Sequence, residues 1–120
     1  MIEIISGIPD NLVVAVAHGT VGGEDYKNVL IPAIEAKLKT HKKVRLLYQL
    51  AEDFAVLTAE AIWDDAVFGL HHWTAFEKVA VVADVPWIIN SVNLFRFMTP
   101  CPVKVFGNSQ LAEAKRWVVA

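Results

Sequence analysis

The chain has 120 residues, 55% of them apolar and 20% charged, with 11 Lys and Arg against 13 Asp and Glu for a net charge of −2. That length suits one domain over residues 1–120, and so large an apolar share can bury a core, which excludes disordered, collagen-like and coiled-coil chains. A charge this close to zero carries no electrostatic footprint for nucleic acid.

Glu3-Ile4-Ile5 reads as a short strand, and Gly7-Ile8-Pro9-Asp10-Asn11 supplies turn chemistry after it. Leu12 to Ala17 is a continuous apolar run of strand length, as expected where a strand is covered on both faces. Past Gly22-Gly23, residues 24–40 read as a helix because Tyr26, Leu30, Ile34 and Leu38 recur every fourth position. Pro32 removes the bond to the carbonyl of residue 28, so a kink or a helix start is expected there.

Val44 to Leu50 is the next strand, followed by a loop over 51–57 and a helix from Thr58 to about Trp73. Its Ala59, Ile62, Trp63, Ala66, Val67 and Leu70 form the stripe of a helix lying on a sheet. Val79 to Ala83 reads as a central strand. Asp84-Val85-Pro86 opens a helix to about Met98, with an acid near the cap and proline in the first turn. Pro100 and Pro102 end it, Val103 to Phe106 is the last strand, and Asn108 or Ser109 caps a final helix whose Leu111, Ala114, Trp117 and Val118 face inward.

The order β-β-α-β-α-β-α-β-α predicts an α/β domain with a mostly parallel sheet of four to five strands, one antiparallel edge strand and right-handed crossovers. The apolar region from Val79 to Phe95 is interrupted by Asp84, Pro86, Asn90, Ser91 and Asn93, too often for a membrane span of about 20 residues. The first residues lack the basic and apolar regions of a secretory signal, and Cys101 is the single cysteine, so a cytoplasmic protein without an internal disulfide is expected.

Several segments together resemble the SpoIIAA-like domains, whose superfold is shared with STAS and CRAL-TRIO domains. They are Glu24-Asp25-Tyr26 leading to Pro32, Val44-Arg45-Leu46-Leu47, Trp63-Asp64-Asp65 with Phe68-Gly69, Phe76 to Val82 with Asp84 and Trp87, Val105-Phe106, and Ala114-Lys115-Arg116-Trp117. The resemblance implies a right-handed superhelix of β-α units around the sheet. STAS relatives act as phosphorylation-switched partners of regulatory kinases, and CRAL-TRIO relatives enclose lipids. The STAS switch needs a serine beside a glycine ahead of the helix that follows the third strand. Residues 51–58 here hold neither, and Thr58 is their one hydroxyl, better placed as an N-cap than as a phosphorylation site.

No catalytic constellation is recognisable, and no cofactor or metal is expected. His71 and His72, on one helix with Asp64 and Asp65, diverge by about 100° and cannot grip one ion together, and Phe68 occupies the position between Asp64 and His72 where a helical ligand would stand. Cys101, between two prolines, reads as a small buried hydrophobe. His18-Gly19-Thr20 follows the second strand, where α/β folds place ligands, and carries no phosphate-loop signature.

The anomaly is the helix over 85–98, where Arg96 is the one charged residue. A helix on the outside of a layered domain should show water a charged face. Its apolar stripes, Ile88-Val92-Phe95 and Trp87-Leu94-Met98, therefore predict either a homodimer interface or the cover of an apolar, lipid-like ligand. Trp63, Trp87, Asn90, Asn93, Phe95, Phe97 and Met98 are the candidate interface or ligand-binding residues. The expected function is that of a non-catalytic interaction module, with carriage of a small apolar molecule as the alternative.

Overall fold

The computed structural model describes residues 1–5, 8, 10–60, 74–96 and 101–120, with the backbone alone of Phe95. Five strands form one sheet in the order β1-β2-β3-β4-β5: β1 (Ile2–Ile4), β2 (Leu12–Val21), β3 (Val44–Leu57), β4 (Phe76–Val82) and β5 (Val103–Phe106). β1 pairs antiparallel with β2, with Glu3 opposite Val16, and all other neighbours are parallel. The mixed sheet with one antiparallel edge is thus as expected from the alternation of strands and helices.

Three helical regions are described. α1 runs in three segments, an α-turn at Gly23–Asp25, a π-helical stretch at Tyr26–Leu30 and an α-helix at Ile31–Leu38. α2 spans Pro86–Phe95, and α3 spans Leu111–Val119 after a 3-10 turn at Asn108–Gln110. α1 and α2 pack on the same face of a sheet whose strand order advances one place at a time, so their crossovers share one hand, right-handed by chain chirality.

Alternation along the strands splits the core into two layers. Val13, Ala15, Ala17, Leu46, Tyr48, Leu50 and Val81 face α1 and α2, meeting Tyr26, Leu30, Ile34 and Ile88. Val14, Leu47, Ala80, Val82 and Phe106 face α3, meeting Ala114 and Val118, with Leu111 and Trp117 half-buried beside them. The inward stripe of the last helix is therefore as read from the sequence. Apolar cover on both sides explains why β2 is an unbroken apolar run from Leu12 to Ala17.

Three local expectations are corrected. Residues 51–57 are not a loop but the continuation of β3, paired with a β2 that itself runs on to Val21. The pairing slips twice, from Ala17 opposite Leu50 to Gly19 opposite Phe54 and then Thr20 opposite Val56, so β3 carries three extra residues in bulges. Bulges break the period-two pattern, which is why Glu52 and Asp53 mimic a loop. His18-Gly19-Thr20 accordingly lies inside β2 and not after it.

Of the two outcomes expected at Pro32, a helix start is what occurs: the α-helical segment begins at Ile31 with the proline in its first turn, directly after the π-helical stretch, where Ile31 N–H reaches back five residues to the Tyr26 carbonyl. The wider turn accommodates a proline that can neither donate to residue 28 nor pack tightly against its carbonyl. Gly107, not Asn108 or Ser109, caps the last helical region: its N–H donates to Gln110 Oε1 at 3.0 Å, and its carbonyl accepts from Gln110 N–H at 2.9 Å. Of the helix expected from Thr58, Ala59 and Glu60 are helical, and the remainder to Trp73 lies outside the described residues.

Candidate functional site

α2 begins as its sequence dictates, with Val85 extended at the cap and Pro86 in the first turn. Its inner face is core: Ile88 is buried, and Val85, Ile89 and Val92 pack beside it. Its outer face is apolar and uncharged, because Trp87 is 48% exposed and Leu94 70% exposed, two turns apart on one side. Asn90 and Ser91 are exposed between them, and Ser91 Oγ donates to the Trp87 carbonyl at 2.8 Å. Asn93 is half-buried. Among the sequence candidates, Trp87 and Asn90 thus share the outer face with Leu94, which the candidate set lacked. The side chain of Phe95, and Trp63, Phe97 and Met98 altogether, lie outside the described residues.

A second, polar region forms where the parallel strands finish. The bulge in β3 brings Asp53 under His18, 35 residues away in sequence, with Nδ1 at 2.8 and 3.0 Å from its two carboxylate oxygens. Nε2 faces Glu3 of β1 at 3.5 Å. The hydrogen bond to Asp53, reinforced by its charge and by Glu3, holds the His18 imidazole above its ordinary value of 6.5. With both ring nitrogens turned to carboxylates, His18 straps β1, β2 and β3 together. It is not set up as a general base, which needs one nitrogen open to substrate.

Next to it, Asn108 Nδ2 donates to the Leu50 carbonyl at 3.0 Å and to Asp84 Oδ2 at 2.9 Å, while its Oδ1 accepts from Gln49 Nε2 at 3.0 Å. Sequence reasoning missed both clusters. Their members meet only through strand register, and no motif spacing announces them. Thr58 follows at the head of the next helical residues, its N–H donating to the Val21 carbonyl at 2.9 Å.

Cys101 is half-buried at the opposite end of the sheet from His18, beside a pocket of about 270 Å³ lined by Lys43, Thr74, Phe76, Glu77 and Pro102. Lys104 Nζ lies 5.3 Å from the Phe106 ring centre. His71, His72, Asp64 and Asp65 lie outside the described residues. Among the described residues, no group of three or more His, Cys, Asp or Glu is placed to hold a metal ion, and no helix is long and apolar enough to cross a membrane.

No curated protein gives a significant match to this sequence. A crystal structure from Shewanella loihica PV-4, an uncharacterized protein from the DUF3478 family with a SpoIIAA-like fold, is similar over 98% of this chain and 92% of its own, with a TM-score of 0.76 and 25% sequence identity. The SpoIIAA-like family model matches residues 12–119, the whole molecule from β2 through α3. The chain therefore belongs to the SpoIIAA-like family.

Proposed function

We propose that this SpoIIAA-like domain is a non-catalytic regulatory interaction module that pairs with a second copy of itself through the outer face of α2. The observation that carries this reading is the exposure of Trp87 and Leu94 on a helix face without a charged group. Tryptophan is the residue type most enriched among interface hot spots, and a large exposed apolar side chain costs solubility unless something covers it. A twofold contact sets α2 against its own copy, so each Trp87 meets the same uncharged surface and no like charges are forced together. Asn90 and Ser91 supply polar groups between the two apolar anchors.

The opposite side of α2 supports this reading over ligand carriage, since Ile88 and Val92 fill that space with the protein's own core. Sedimentation velocity across a wide concentration range tests the proposal. The expected result is a dimer that dissociates on dilution, and a Leu94→Glu variant that stays monomeric while keeping the far-ultraviolet spectrum of the parent. A parent monomer at every concentration overturns it. A native mass spectrum carrying a few hundred extra daltons per chain overturns it in favour of a bound apolar molecule.

A further inference from the structure

We propose that the open edge of β3 over residues 52–57 docks a basic, extended peptide segment by strand addition. This surface is independent of the α2 face.

The edge arises because β4 stops early. The last β3–β4 pair is Gln49 opposite Val82, after which Ala83 N–H turns to the Phe106 carbonyl. β3 continues to Leu57 with β2 as its one strand neighbour among the described residues. Among the described residues its other side therefore presents backbone donors and acceptors with no ladder to join, the arrangement that an added strand completes. Glu52, Asp53, Ala55 and Val56 are exposed along it, and Val56, at 47%, offers an apolar contact for an incoming side chain.

Charge selects the occupant. Glu52 and Asp53 sit on the edge itself, and Glu3, Glu24, Asp25 and Glu60 surround this end of the sheet. Against them stand His18, bound by Asp53 and Glu3, Lys27, 3.3 Å from Glu60, and the Met1 ammonium, 3.6 Å from Asp25. Glu52 has no ion-pair partner among the described residues. A second copy of this edge would bring Glu52 and Asp53 against their own kind, and like charges across a strand pair are destabilising. A segment with alternating Lys or Arg meets the opposite condition, and the acidic field raises its rate of encounter.

The test uses the full chain labelled with nitrogen-15 and an end-blocked peptide of about nine alternating Lys and Thr residues, long enough for one strand. At low salt the amides of 52–57 are expected to shift on titration, and those that face away from β2 to exchange more slowly with solvent. Affinity should fall roughly tenfold for the same peptide with alternate backbone nitrogens methylated, because those positions cannot donate to the ladder. It should also fall in the exposed-site variant Glu52→Lys, whose remaining spectrum reports that the fold is intact. Equal binding of the methylated peptide overturns strand addition, and equal binding of a Glu–Thr peptide overturns the charge argument. Shifts confined to other residues, or protection in the free chain of those 52–57 amides that face away from β2, show the edge to be closed and overturn the proposal. A monomeric parent in the sedimentation experiment leaves each of these outcomes readable.

Discussion

Where β3 and β4 begin, cations from the strands hold the last turn of the last helix. Arg45 Nη1 donates to the Val118 carbonyl at 2.8 Å and to the Ala120 carbonyl at 3.0 Å, while its Nε and Nη2 grip Glu77. Lys78 donates to the Trp117 and Ala120 carbonyls at 2.9 and 3.0 Å and lies over the Trp117 ring. The orphan carbonyls at the negative end of α3 are thereby paired with positive charge. On the same side Lys37 holds the turn between β1 and β2 through the Ile8 and Asp10 carbonyls, at 2.8 and 2.9 Å. Where the strands finish, the contacts are of another kind. Bulges interrupt the ladder, one histidine ties three strands, and acids face solvent. The contrast separates two uses of charge: at one end cations satisfy backbone carbonyls and fix the fold, while at the other exposed carboxylates outnumber the cations that pair with them, and Glu52 has no ion-pair partner among the described residues.

Breaking the closed end should have the largest effect. Arg45→Ala removes charged hydrogen bonds to Glu77 and to two carbonyls of the α3 terminus, and a loss of about 2 kcal/mol is expected from urea unfolding. A loss indistinguishable from that of an exposed lysine would erase the distinction between the two ends. At the bulged end, Gly19 has φ of 55° in the left-handed region with nothing near its missing Cβ. Gly19→Ala therefore meets no clash and costs backbone strain alone, about 1 kcal/mol by the same assay.

The smallest effect is electrostatic. Because the folded His18 value lies above 6.5, its contribution is fully present below that pH and lost as pH rises through the raised value. The groups facing it are Asp53, Glu3 and, at its carbonyl, the Met1 ammonium, 2.9 Å away. Unfolding midpoints measured from pH 5 to 8 should decline across that window in the parent and lose this component in His18→Gln.

The two ends also differ in how far the sequence exposes them. Element order, the antiparallel edge and the inward stripe of Ala114 and Val118 were legible because hydrophobic period reports burial, and burial is what those residues do. The uncharged outer face between Trp87 and Leu94 is legible for the same reason, down to the separation of Ile88 from Trp87. His18 and Asp53 were not, because their meeting depends on how many residues β3 slips against β2, and a bulge has no periodic signature. Leu94 shares a stripe with Trp87 in the sequence, and nothing in the period marks it as the more exposed of the two. A periodic reading ranks apolar residues by face and is silent on which face water keeps.

The π-helical stretch in α1 settles the angular phase of the whole crossover. Four residues of α-helix turn through about 400°, so a side chain every fourth position precesses about 40° per step and leaves the sheet within a few turns. Tyr26 and Leu30 are both 3% exposed and Ile34 1% exposed, so all three are seated in the core although they stand four apart. The widened turn unwinds the helix by the amount the spacing overshoots. It is a length adjuster, taking up one surplus residue between the end of β2 and the rest of α1. A chain shorter by one residue there could keep Ile34 seated only by swinging Tyr26 about 100° out of the core.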